Sequence, residues 1–348
     1  MIPPWPAMMA MAGKLVRGMR FKRTTRAVIA SAVAVTMAMA VTGPAAAAED
    51  FSGRFTNHLA NPKPDFLLTL RDTHVPQGIA YWRGDGHGAR FFVTYYDPSD
   101  RSNTRLAVHG AEGRYLKAVK INGEHVGGVV AWREWLYTID TVSSSGTTLL
   151  RRYRLSDIAT TGHGEALPQR DVEQLPTGAG AFLTIHDDKL YFGSHTKDRH
   201  YTEHGKLYTW PMNTASGNPT PSPAQWGASI GIPGNVQGLV VTANHFVFSQ
   251  SWDRDCWSRI TVRERGEGFA GDRFIYAPAM SEGIVNAAGS LYVNFESGAD
   301  VPPDHHYART ARNVVHRPWF GSLTTFITDI QANGRRINDR SPYECVAG

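Results

Sequence analysis

Cysteine is nearly absent from the chain: Cys256 and Cys345 are the only two in 348 residues. Two thiols this far apart do not make a four-ligand zinc centre, and in an exported chain they read as one disulfide, with two free thiols as the alternative. A membrane-length apolar run is also missing. The stretch Ala27–Val41 has 15 residues, short of the about 20 that cross a bilayer. Helical patterning is scarce, because no segment longer than ten residues repeats its apolar positions at helical spacing, so an all-β chain is expected. No nucleophile elbow, P-loop, dinucleotide fingerprint or HExxH helix occurs, and the enzyme classes those motifs announce are demoted.

An excess of charge is lacking too, once the N-terminus is set apart. Lys14, Arg17, Arg20, Lys22, Arg23 and Arg26 precede the apolar run, and Gly43-Pro44-Ala45-Ala46-Ala47-Ala48 follows it. Basic, apolar and small-residue zones in that order read as a cleaved secretory signal peptide over residues 1–48, with Met1 or Met19 as the start. The whole chain has 36 Lys and Arg against 31 Asp and Glu; without the leader's six basic residues it has 30 against 31, a net of −1. The high pI therefore belongs to the leader, and nucleic acid is not an expected partner. The expectation is a secreted, extracellular monomer with no membrane span after cleavage. Residues 49–65 read as an exposed lead-in and 66–348 as one domain.

What the chain does contain is a repeated hairpin. Met280 to Ala299 holds a strand opened by Glu282-Gly283, a turn, and the return strand Leu291-Tyr292-Val293. The same pattern starts at Gly78, Gly128, Phe182 and Gly238, at spacings of 50, 54, 56 and 45 residues. Several short strands repeated every 40 to 50 residues belong to the blades of a β-propeller. Five anchors predict five blades, with the 65 residues after the last anchor leaving room for a degenerate sixth. Phe66–Leu70 is expected to close the ring beside Leu323–Ile330.

In a propeller the innermost strands converge on a central channel. The residues before the anchors are Gln77, Gly127, Ala181, Gln237 and Glu282, so Glu282 is the single carboxylate of that ring. It could ligate a cation such as calcium, act as an acid or base, or merely cap backbone N–H groups. A second ring comes from the far ends of the companion strands: Asp97, Asp140, His195, Gln250 and Glu296. Strand direction is taken to put it at the opposite mouth, so that the two rings make no common site. His74 and His125 precede the first two anchors in similar contexts and read as structural before they read as a proton or metal site. His195, His200, Glu203 and His204 share one loop and Asp97, Asp100 and Asn103 a turn, which read as surface and turn before metal; Asp304-His305-His306, in a Pro-containing loop, reads equally as a site or as plain surface. Trp226, Trp252, Trp257 and Trp319 could stack on sugars or pack between blades.

The Gln77-Gly78 and Glu282-Gly283 strand openings resemble those of the gluconolactonase and strictosidine-synthase-like superfamily. That resemblance implies an inner-strand glutamate near the channel, often a calcium ligand, and lactone or ester hydrolysis or related small-molecule chemistry. Only Glu282 carries over. Those proteins usually have six blades, and their remaining Asn and Asp ligands have no match here. The resulting expectation is a small-molecule site at the channel mouth, lactonase- or esterase-like, with a non-catalytic glycan- or protein-binding propeller and a five-bladed glycoside hydrolase as alternatives. For the last, the carboxylate pair expected is Asp97 or Asp140 with Glu296.

Overall fold

The repeated glycines sit where backbones meet. A Cβ on Gly283 would lie 2.6 Å from the Ile79 nitrogen, and one on Gly128 2.6 Å from the Leu183 nitrogen. Only a residue without a side chain allows neighbouring inner strands to approach that closely. The third repeat has Phe182 instead, and the bulk is absorbed across the hairpin by Gly193, whose Cβ would meet the Phe182 ring at 2.3 Å.

The structure is a computed structural model that describes residues 53–59, 61–62, 66, 68–84, 88–196, 204–299, 311, 313–336 and 345. The leader 1–48 lies outside the described residues, as do His200, Glu203 and Asp304-His305-His306. Five antiparallel sheets make five blades. Blade 1 contains β2 (Val75–Trp82), β3 (Arg90–Tyr96), β4 (Arg105–Gly110) and β5 (Tyr115–Lys120). Blade 2 contains β6 (Gly128–Trp132), β7 (Trp135–Thr141), β8 (Thr148–Arg154) and β9 (Gln169–Leu175). Blade 3 contains β10 (Phe182–His186), β11 (Lys189–Gly193), β12 (Gly205–Pro211) and β13 (Ser229–Ile232). Blade 4 contains β14 (Val236–Val241), β15 (His245–Gln250), β16 (Ser258–Glu264) and β17 (Arg273–Ala277), with β21 (Arg335–Arg336) on its outer edge. Blade 5 contains β18 (Ser281–Ala287), β19 (Ser290–Phe295) and β20 (Trp319–Ser322), completed by β1 (Asn61–Pro62). The inner strands pack in the cyclic order β2, β6, β10, β14, β18 and back to β2. That is the closed ring the spacing predicts.

Closure differs from the expectation. The N-terminal chain does complete the last blade, but through β1, with Asn61 opposite Phe320 and Pro62 opposite Trp319. Phe66 is buried without being in a strand, and Leu323–Asn333 is a helix, α4. The β-branched residues of LTTFITDI suggest a strand. Its buried residues, Leu323, Phe326, Ile327 and Ile330, instead follow the i, i+3, i+4, i+7 rule of a helix face, and the Ser322 side chain accepts from the Thr325 N–H at its start. The lead-in is not exposed either. It forms α1 (Gly53–Leu59), with Phe55 and Leu59 fully buried one helical turn apart. The residues that suggested a sixth blade thus supply α1, β1, α4 and β21.

Phe55 stacks on Trp319 at 5.2 Å and meets Phe295 edge-on at 6.3 Å. Phe55→Ala is expected to cost about 3 to 5 kcal/mol, read as a lower urea midpoint with an unchanged slope.

Candidate active site at one mouth of the ring

Three of the five inner strands are bulged where they begin. The register shifts between Pro76 and Ile79 in β2, between Val236 and Gly238 in β14, and between Ser281 and Ile284 in β18. Strands β6 and β10 run in unbroken register. A bulge re-aims the residue it inserts, and the residues so placed are Gln77, Gln237 and Glu282. Asn235 and Met280, two positions ahead of the last two, hold positive φ of 57° and 62°, a conformation non-glycine residues adopt rarely.

The residues facing the anchors follow the same division. Gly128 pairs with Ile139 and Phe182 with Gly193 in the regular blades. Blades 1, 4 and 5 present Thr94, Ser249 and Asn294 there. Each bridges to the next blade: Thr94 Oγ1 to the Val126 carbonyl at 2.9 Å, Ser249 Oγ to Ser281 Oγ at 2.8 Å, and Asn294 Nδ2 to the Gln77 carbonyl at 2.9 Å. Blades 4, 5 and 1 are consecutive around the ring, so the polar residues gather on one side of it.

Glu282 and Glu296 meet there. Ser281 pairs with Phe295 across the β18–β19 hairpin, so the start of one strand lies beside the end of the next. The expectation of opposite mouths is therefore corrected: in an antiparallel hairpin the opening and closing residues share an end. The two carboxyls are buried and share a hydrogen bond. Gln237 Nε2 donates to Glu282 Oε1 at 3.0 Å. Glu296 Oε1 accepts from Gln77 Nε2 at 3.1 Å and from the Tyr96 hydroxyl at 3.2 Å. His125 Nε2–H donates to Gln77 Oε1 at 2.7 Å, which turns the Gln77 NH2 toward the acid, and the His125 ring stacks on Tyr96 at 4.4 Å.

Burial, and then the charge of Glu296, raise the Glu282 pKa well above the carboxylate range. Burial also raises Glu296, to about 7, against the hydrogen bonds from Tyr96 and Gln77 and the charge of Arg254. Two buried acids in contact cannot both ionise, so they titrate as a unit holding one proton near neutrality.

The other expected residues have other work. His74 is buried between Thr73 Oγ1 at 2.7 Å and the Asn103 carbonyl at 3.1 Å. Asp97 accepts from the Ser99 hydroxyl and N–H, the Asp100 N–H and Asn103 Nδ2. Against the opposing effect of burial, these bonds hold its pKa down to about 2. Asp140 is buried in an ion pair with Arg151 and accepts from the Glu124 N–H at 3.0 Å. Neither Asp97 nor Asp140 is therefore the partner of Glu296; Glu282 is. His195 is half-buried just past the end of β11, and His204 stacks on Phe269 at 3.8 Å, away from the acids. Cys256 and Cys345 form the expected disulfide, two residues beyond Arg254. Asn294 and Arg254 had escaped sequence reasoning. The one readable signal was a lone asparagine inside the apolar strand LYVNF.

No family model and no curated protein matches the chain. The gluconolactonase-like resemblance therefore rests on the strand openings alone. Among solved structures, the chain is similar to a GH43_1 enzyme from Xanthomonas citri complexed with xylose, at 9% identity over 78% of this chain and 91% of that one, with a TM-score of 0.44. It is similar to the soluble aldose sugar dehydrogenase of Escherichia coli at 15% identity over 68% and 82%, with a TM-score of 0.36. It matches a Kuenenia stuttgartiensis hydrazine synthase chain at 13% identity over 63% and 61%, so it spans less than two thirds of that chain, with a TM-score of 0.36. Likeness this low sets no residue of this chain beside a residue of those proteins.

Proposed function

We propose that the chain is an exported hydrolase that cleaves a C–O bond in a small, hydroxyl-rich molecule of sugar type, at the mouth formed by blades 4, 5 and 1. The observation that carries this reading is the buried, hydrogen-bonded Glu282–Glu296 pair. Glu282, which burial and the charge of Glu296 keep protonated, is the general acid that protonates the departing oxygen. Glu296, the ionised member, takes a proton from the water whose oxygen bonds to the carbon as the C–O bond breaks, so the pair holds one proton before and after the step. Gln77 and Gln237 fix the two carboxyls, and the more exposed His125, Gln237 and Arg254 offer donors to substrate hydroxyls. Export is part of the reading, supported by the leader and by a disulfide suited to an oxidising destination.

The five blades favour a glycosidic bond, since the lactonase-like group usually has six. In two-carboxylate glycoside hydrolysis the acids stand about 5 to 9.5 Å apart. In this reading Glu296 acts as a base on water and not as a nucleophile, because its carboxyl interacts directly with that of Glu282. Ester or lactone cleavage is the second reading, favoured by that same contact: one carboxylate draws a proton from water while its partner protonates the carbonyl oxygen. Calcium is not part of the proposal. Both glutamines turn amide NH2 groups, not oxygens, toward the carboxylates, a donor set that suits acids and not a cation.

The test is hydrolysis of a panel of chromogenic glycosides, esters and lactones by the mature chain, followed from pH 4 to 9. Glu296→Gln is expected to lower turnover on the responding substrate by about a hundredfold or more and to remove the limb near pH 7. Turnover by Glu296→Gln equal to the parent would remove the pair from the chemistry.

A further inference from the structure

A cavity opens beside blade 1, away from the start of β2. It has a volume of about 580 Å³ and lies between the outer strands of blade 1 and the helix α2 (Leu155–Thr160) that follows β8. Trp82, at the end of β2, is in its wall; Gln77 of the acid site is five residues earlier on the same strand, about 15 Å away. The two sites are therefore separate.

Most of the lining is apolar: Trp82, Phe92, Val108, Leu116, Leu155 and Ile158. Leu116 is 40% exposed and Trp82 half-buried, and these two present apolar surface to the cavity, with Phe92, Val108, Leu155 and Ile158 buried behind them. The rim is different in character. Arg90 and Lys117 stand on it against one exposed carboxylate, Glu134. Lys117 Nζ donates to the Ala159 and Thr161 carbonyls, at 3.2 and 2.6 Å, and so fixes the end of α2 while keeping its positive charge at the rim. An apolar pocket with a few charged groups at its edge selects an apolar body with an oppositely charged end.

We propose that this cavity binds a single-chain fatty carboxylate, with the chain against Trp82 and Leu116 and the carboxylate at Arg90 and Lys117. The volume falls within the about 300 to 1,000 Å³ typical of small-molecule sites, and the excess of rim cations over carboxylates sets the sign of the head group.

Titration calorimetry of the mature chain with hexanoate through tetradecanoate, below their micellar concentrations, tests the proposal. Saturable binding at one site is expected, with affinity rising roughly fourfold per methylene until the cavity is filled. Ala159→Phe, an exposed position on α2 facing the cavity, should abolish uptake. Arg90→Gln should weaken decanoate by about tenfold and leave decanol unchanged. Thermal unfolding of both variants checks that they fold. Absence of saturable uptake by the parent, or equal uptake by a folded Ala159→Phe variant, would overturn the site. Equal affinity of the parent for decanoate and decanol would overturn the carboxylate assignment.

Discussion

Replacing Glu282 with glutamine is expected to lower turnover by about two to four orders of magnitude and to make the folded chain less sensitive to alkaline pH. The first effect follows from losing the acid proton. The second follows from linkage. In the unfolded chain a glutamate titrates near its ordinary value of about 4.3. In the fold, burial raises both Glu282 and Glu296, and the charge of Glu296 raises Glu282 further. Between the unfolded and folded values the native state binds more protons than the unfolded state. The stability contribution is therefore fully present below about pH 4.3 and is lost as pH rises through the folded pKa values. For the parent, unfolding temperature should fall between pH 5 and 8, by an amount on the order of a few kcal/mol in stability. Glutamine at 282 keeps the shape and can donate an N–H to Glu296 in place of the shared proton, so the part of that slope due to Glu282 should disappear while the part due to the buried Glu296 stays. Melting curves across this range read the difference directly. Parallel parent and variant curves would mean that the carboxyls share no proton.

The other large effect belongs to the disulfide. Cys256 and Cys345 are 89 residues apart in sequence, and cross-linking a loop of that length restricts the unfolded chain by about 4 to 5 kcal/mol. Cys256→Ser is expected to lower the melting temperature by about 10 °C, and a reductant should do the same to the parent. The cross-link also anchors the segment carrying Arg254, whose charge lowers the Glu296 pKa. Loss of the disulfide should therefore move the limb near pH 7 upward as well as lower stability. An unchanged melting temperature in reductant would show that the bond contributes nothing to the fold.

The ring was legible because its signal is steric. Gly78, Gly128, Gly238 and Gly283 mark places where two backbones touch, and no other residue substitutes freely there. The exception, Phe182, still kept the spacing because Gly193 compensates opposite it. Closure was less legible. β1 is two residues long, too short for any periodicity, and α4 is written in threonine and isoleucine, whose local preference for strands yields to the burial of one helical face. Glu282 and Gln77 were visible as polar residues beside anchors. Their meeting with Glu296 depended on strand direction, a property of hairpin geometry and not of composition. The bulges that aim these side chains left no mark in sequence beyond the Gln-Gly and Glu-Gly pairs themselves.

Five equal units around an axis would offer a bound molecule five indistinguishable poses. The bulged strands of blades 4, 5 and 1 set against the regular strands of blades 2 and 3 remove that degeneracy. A guest bound there as proposed would have one acidic flank and one bland flank, and so a single preferred facing, which stereoselective chemistry requires of its host.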